Sequence, residues 1–339
     1  MTTSSAGFRR LAGVTLVAAF FLIVLGGIVR VSGSGLGCGP AGSGFHGWPL
    51  CEGDLLPGLD LNAVIEYAHR VVAMAVGLLI VGLAVWAWRR YRSDRGVIAA
   101  TAAALILVAL QGLLDAATVE EGLAPSLVAA HLGLAMILFG VLLYLWRAAR
   151  SVASHAAAPA PGGRPLRPLA MAAQAALFLT IVAGGYMAGT QNYGLPSYQL
   201  GDGAHHACGR EFPTCNGELL PFGAAPLVDV HLMHRVLMYV ATALVIALVV
   251  LVIRRARGTR LARMAGVAAA LLLAQLVVGA LNVWLEEYEL LILAHLTLAT
   301  LLWGQSLAIN LELYPARSPA AAAAERERSS AGRAEAVTA

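Results

Sequence analysis

Eight apolar runs, each about twenty residues long, constrain this chain more than anything else in it. They lie at roughly 11–29, 63–88, 97–115, 126–146, 169–188, 229–253, 264–284 and 290–310. About 20 residues of helix cross a bilayer core, and a helix satisfies its own backbone N–H and C=O groups where lipid cannot. The runs do not alternate polar with apolar residues, which argues against a membrane β-barrel. Only 12% of the residues are charged, whereas a soluble domain carries about 25%. The first run is long for a cleavable signal and lacks a small-residue cleavage site, so it reads as a span. The expectation is an all-α membrane protein with eight transmembrane helices.

The charges orient these spans. All 23 basic residues are arginine. They cluster at Arg9 and Arg10, at Arg89, Arg90, Arg92 and Arg95, at Arg147, Arg150, Arg164 and Arg167, and at Arg254, Arg255, Arg257, Arg260 and Arg263. Those segments fall on one side, which the positive-inside rule makes cytoplasmic, together with both termini. Asp115, Glu120, Glu121, Glu286, Glu287 and Glu289 fall on the other side. A net charge of +4 distributed this way describes membrane topology, not nucleic-acid binding.

The chain also repeats itself. Trp48 to Pro57 reads WPLCEGDLLP and Phe212 to Pro221 reads FPTCNGELLP, 164 residues further on. Gln111 matches Gln275 and His131 matches His295 at the same offset, while His69-Arg70 matches His234-Arg235 at 165. Four spans per unit is an even number, so the two units share one orientation. They are expected to be similar four-helix bundles related by an axis along the membrane normal. The boundaries read as an N-terminal half over 1–150, a Pro- and Gly-rich linker over 151–168, a C-terminal half over 169–310 and a disordered tail over 311–339.

His69, His131, His234 and His295 each lie about five or six residues into a span that enters from the outer side. At 1.5 Å per residue they sit roughly 8–9 Å below the outer helix ends. A single histidine in a membrane helix more often bonds a neighbouring helix or serves a proton path. Two pairs at equal depth, duplicated by a repeat, point instead to two axial ligand sets for haem iron. Zinc is disfavoured, because the spans offer no nearby Cys and His donors at zinc spacing.

Glu66 precedes His69 by one helical turn, and its counterpart is His231. The repeat keeps the ligands and changes this neighbour, which suggests that one site does chemistry while the other holds a cofactor. The plainer alternative is a carboxylate that only pairs with an arginine. Arg30, Arg70 and Arg235 are candidate partners for haem propionates, and His46, His205 and His206 read as ordinary loop histidines. Cys38 and Cys51 share the outer loop 30–62, and Cys208 and Cys215 share the outer loop 189–228. That placement favours disulfides; three connectivities exist, of which Cys38–Cys51 with Cys208–Cys215 is the simplest. A redox-active thiol couple is the alternative.

These residues resemble the haem A synthase family. The resemblance rests on Gly26-Gly27-Ile28-Val29-Arg30 with Gly33-Ser34-Gly35-Leu36, on Trp48-Pro49-Leu50-Cys51, and on Glu66-x-x-His69-Arg70. It continues through Gln111-Gly112-Leu113-Leu114 with Thr118-Val119, His131, His231-x-x-His234-Arg235, Gln275 with Asn282-Val283, and His295. It implies a haem-dependent oxidoreductase in the bacterial plasma membrane, with the cysteine loops outside. Such an enzyme oxidises the C8 methyl of haem O to the formyl group of haem A. By this resemblance His69 and His131 bracket the substrate haem O, Glu66 is catalytic, and His234 and His295 ligate a resident haem b. A haem O synthase and terminal oxidase assembly factors are the implied partners. The chain departs from the family's usual pattern at Gly47, where an acid is common, at Asp115, where a glycine is common, and in carrying a cysteine pair in both halves. The rival readings are a diheme cytochrome b that only transfers electrons, and a haem transporter or delivery protein.

Overall fold

The structure is a computed structural model that describes residues 2–151, 164–191, 203–285 and 289–314. Most of the expected linker, residues 192–202 of the second outer loop, Glu286 and Glu287, and the tail from 315 lie outside the described residues.

Short polar residues set the helix starts. Asp60 accepts from the amide of Ala63, Asp94 from those of Gly96 and Val97, and Thr259 from that of Ala262, so each caps an otherwise unpaired N–H of a first turn. Pro226 opens another helix at a position where its missing N–H costs nothing. The helices are α1 Thr2–Val31, α2 Leu61–Arg90, α3 Arg95–Glu120, α4 Pro125–Ser151, α5 Arg167–Gly189, α6 Pro226–Arg255, α7 Arg260–Trp284 and α8 Glu289–Leu313. All eight are long and apolar enough to cross a membrane, and the chain is a multi-pass membrane protein. Arg89 and Arg90 end α2 and Arg254 and Arg255 end α6, within the last helical turns. There the arginines complement the negative end of the helix dipole.

Several limits differ from the sequence expectation. Caps at Asp60 and Pro226 start α2 and α6 two to three residues early. The helix α3 runs five residues past the apolar run, to Glu120, so Asp115 lies inside the helix rather than at its end. Gln111, Asp115 and Thr118 then follow one helical face at i, i+4 and i+7.

Contacts run from α1 to α2, α2 to α3, α3 to α4 and α4 back to α1, and likewise around α5, α6, α7 and α8. Across the middle α4 meets α5 and α8, and α1 meets α8. Lipid supplies no hydrophobic drive for this association, so close approach and buried polar contacts carry it. Gly27 of α1 lies against Leu293 and Leu296 of α8, and Gly185 of α5 lies against Ala129 and Leu132 of α4. Trp303 donates its indole N–H to the carbonyl of Met136 at 3.0 Å, and the Asn310 amide donates to that of Ala170 at 3.0 Å. At the helix ends away from the histidines, Glu312 pairs with Arg147 at 2.7 Å and Arg260 at 3.3 Å.

The structure joins Cys38 to Cys51 and Cys208 to Cys215. Each bridge is followed by the same tight turn. Glu52 and Gly53 have φ of 55° and 88°, and Asn216 and Gly217 have 53° and 84°. Two adjacent residues at positive φ make a type I′ turn, for which Asn-Gly is the favoured pair. Gly37 lets the first loop settle on α2, since a Cβ there would stand 2.4 Å from the backbone of Asn62.

Candidate functional site

The four histidines keep a matched register. His69 and His234 stand eight residues after the starts of α2 and α6, and His131 and His295 six residues after the starts of α4 and α8. These offsets place them about 12 Å and about 9 Å along their helices. The first pair is deeper than the sequence suggests, because the caps lengthen α2 and α6.

A glycine faces three of the four imidazoles. A Cβ on Gly26 would lie 3.2 Å from Cε1 of His69, one on Gly184 would lie 3.0 Å from Cε1 of His234, and one on Gly279 would lie 3.0 Å from Cε1 of His295. Each Gly-Gly pair thus does two things. Gly26 and Gly184 make room for a histidine ring, while Gly27 and Gly185 admit the neighbouring helix. The Gly184-Gly185 copy is visible in the sequence as a second GG within a span, but its role needs the fold.

The rings are also oriented. Nδ1 of His234 donates to the carbonyl of Thr180 at 3.1 Å, which turns Nε2 outward. The Gln275 amide donates to Nε2 of His295 at 3.1 Å, and that of Gln111 donates to the carbonyl of His131 at 3.1 Å. Nδ1 of His69, His131 and His295 is buried without a hydrogen-bond partner. Half-buried imidazoles on facing helices, with glycine gaps beside three of the rings, suit an apolar flat macrocycle whose metal takes two axial nitrogens.

The two pairs differ in their neighbours. Ligand atoms of His69, Asp115 and His131 all lie within 4.8 Å of one another, and among the described residues this is the group of three such donors that the structure brings together. The indole N–H of Trp48 donates to Oδ2 of Asp115 at 3.0 Å. Sequence reasoning placed Asp115 with the outer-side acids, because the apolar run stops there. Its counterpart at the same offset is Gly279, and that of Trp48 is Phe212. The ring of Phe212 packs edge-on to Trp284 at 6.3 Å.

Glu66 is buried, with 4% of its surface exposed. It accepts the amide N–H of Cys38 at 2.8 Å and forms an ion pair with Arg70. Arg70 also donates to the carbonyls of Gly47 at 2.7 Å and Leu50 at 3.0 Å, on either side of Trp48-Pro49. Arg235 repeats this clamp, donating to the carbonyls of Glu211 at 2.7 Å and Thr214 at 2.8 Å, each 164 residues beyond its counterpart. His231 stands where Glu66 stands and donates Nδ1–H to the carbonyl of Ala204 at 2.7 Å. Arg30 donates to the carbonyls of Ala188 at 2.8 Å and Gly189 at 3.4 Å and to that of Gln191, capping the end of α5.

His205 lies in the 3-10 turn Ala204–Cys208 of the second loop. Burial, then the nearby rings of His231, His234, His206 and His295, hold its pKa well below the usual histidine value. The spacing of the loop histidines gave no sign of this.

Comparison with known proteins matches residues 59–307 to the COX15-CtaA family model, described as cytochrome oxidase assembly protein. A protein of Symbiobacterium thermophilum named Heme A synthase is 33% identical over 296 residues, covering 85% of this chain and 89% of that protein. Proteins of the same name from Alkalihalophilus pseudofirmus and Halalkalibacterium halodurans are 33% and 32% identical, covering 71% and 70% of this chain and 73% and 74% of their own lengths. With the matched span running from just before α2 into α8 and holding all four histidines, the chain belongs to the COX15-CtaA family of cytochrome oxidase assembly proteins.

Proposed function

We propose that this chain is a haem A synthase, a membrane oxidoreductase that converts the C8 methyl of haem O to the formyl group of haem A. The observation that carries this reading is its similarity to proteins named Heme A synthase over most of its length. In this reading His69 and His131 bracket the substrate haem O, and His234 and His295 ligate a resident haem b. The orienting bond from His234 to Thr180 and the glycines beside His234 and His295 support the second assignment. Bound haem b would supply one-electron transfer to and from the substrate site.

Glu66 is the proposed catalytic carboxylate. It lies one turn before His69, and Arg70 and the Cys38 amide fix its position. From there it would stabilise positive charge that develops on the methyl carbon, or accept a proton from the water that supplies the oxygen. His231 occupies the equivalent position in the other half, which supports a division between a reaction site and a cofactor site. A propionate role for Arg70 or Arg235 requires each to exchange a loop carbonyl for the propionate, and for Arg30 to release the carbonyls of α5.

The proposed organisation is two four-helix halves, 1–150 and 169–310, related by an axis along the membrane normal, with a 151–168 linker and a 311–339 tail. Both termini face the cytoplasm in the bacterial plasma membrane, and the disulfide loops face outward. A haem O synthase and terminal oxidase assembly factors are the proposed partners for delivery and hand-off. Co-expression with a haem O source followed by pigment extraction tests the activity. Haem A or hydroxylated haem O is expected, and haem O alone would refute it.

A further inference from the structure

The two histidine pairs differ in what stands beside their rings. A nitrogen of each ring of the first pair and a carboxylate oxygen of Asp115 all lie within 4.8 Å of one another. A metal tetrapyrrole taken up between His69 and His131 would need the space beside both nitrogens, and the Asp115 carboxylate stands there. Its side chain therefore has to turn away before the ring can be seated.

What holds Asp115 there is Trp48, through an indole N–H to Oδ2 bond of 3.0 Å. Trp48 is not a free loop residue. Cys38–Cys51 closes the loop around it, and Arg70 grips the carbonyls of Gly47 and Leu50 on both sides of it. Arg70 is in turn paired with Glu66. Moving Asp115 out of that space thus pulls on a loop anchored to the proposed catalytic carboxylate. The second pair has neither part of this device. Gly279 has no side chain to place between His234 and His295, and Phe212 has no N–H to donate.

We infer that Asp115 and Trp48 form a latch on the first histidine pair, so that porphyrin exchange at His69 and His131 is controlled by a hydrogen bond that the cofactor pair lacks. This rests on the reading that a porphyrin binds between His69 and His131. Asp115 acts as a positioning residue. It holds the space beside both imidazoles, and it yields to the ring through the disulfide-bonded loop. A removable block suits a site whose occupant arrives and leaves at every turnover. The second pair carries a neutral contact instead, the Gln275 amide on Nε2 of His295 at 3.1 Å.

The test uses purified full-length protein with ferric protoporphyrin IX as the probe, followed by stopped-flow absorbance. Asp115→Gly copies Gly279, and Trp48→Phe copies Phe212 and removes the indole donor while keeping an aromatic ring. Each single variant should speed the His69-dependent binding phase at least about tenfold, the worth of one charged hydrogen bond. The double variant should be no faster than the faster single, because both substitutions open the same latch. Wild-type rates in both single variants would overturn the latch, and so would fully additive effects in the double variant. A wild-type protein with no binding phase that His69→Ala removes would instead overturn the underlying assignment of the first pair as a porphyrin site.

Discussion

Arg70→Ala should destabilise this protein in a way that Arg235→Ala does not. Both arginines clamp an outer loop by two matched carbonyls. Arg70 alone also neutralises a buried carboxylate, Glu66, which is 4% exposed. Removing one member of such a pair costs about 3–5 kcal/mol, because the other charge stays buried without compensation. The Cys38 amide, at 2.8 Å, offsets part of this. Loss of the carbonyl contacts adds about 1 kcal/mol each and is common to both variants. Adding Glu66→Gln to Arg70→Ala removes the stranded charge while keeping an acceptor for Cys38, so the double variant should regain about 2–4 kcal/mol over Arg70→Ala. At roughly 2 °C per kcal/mol for a chain of this size, the recovery is about 4–8 °C in apparent Tm. Thermal unfolding in detergent, followed by tryptophan fluorescence, reads it. If Arg70→Ala melts with Arg235→Ala, or if Glu66→Gln restores nothing, the ion pair does not carry the stability assigned to it.

Three further outcomes are expected. Glu66→Gln in the otherwise native chain should keep both haems bound and the fold intact but lower haem A yield at least about a hundredfold, in the range of a lost general base; near-normal yield would reduce Glu66 to a structural partner of Arg70. Gly184→Val should push the His234 ring aside, since even a Cβ would stand 3.0 Å from it, and the low-spin absorption of the cofactor haem should weaken or vanish, as it should in His234→Ala. His205 is neutral in the folded protein at a pH where the unfolded chain, titrating near 6.5, already binds a proton. The His205 contribution to stability should therefore be level above about pH 7 and fall below about 6.5, by up to about 1.4 kcal/mol per pH unit, and His205→Gln should make pH-dependent melting shallower by that share.

Much of the site was legible because membranes impose length and the repeat imposes depth. The eight spans followed from backbone satisfaction in lipid, and the matched histidines followed from counting residues into those spans. Asp115 reads as the last residue of its apolar run because hydropathy marks where apolar residues stop, not where the helix stops. Gln111, Asp115 and Thr118 lie along one face of α3, where Trp48 donates to the half-buried Asp115 carboxylate. The arginines were also only half legible. Spacing put Arg70 beside Glu66, but their bonds to Gly47 and Leu50, and those of Arg235 to Glu211 and Thr214, depend on how the loops fold back over the helix ends. The same holds for Gly184 and Gly279, whose contacts with His234 and His295 lie between different helices and leave no local pattern.

The central claim is that two similar histidine pairs have different tasks, and pigment chromatography of histidine variants tests it most directly. The protein is co-expressed with a haem O source, purified and extracted in three forms: native, His69→Ala and His234→Ala. Haem b with haem A is expected in the native protein, haem b without haem A in His69→Ala, and loss of haem b in His234→Ala. Identical pigment losses in the two variants, or haem A formed at native levels by His69→Ala, would contradict that claim.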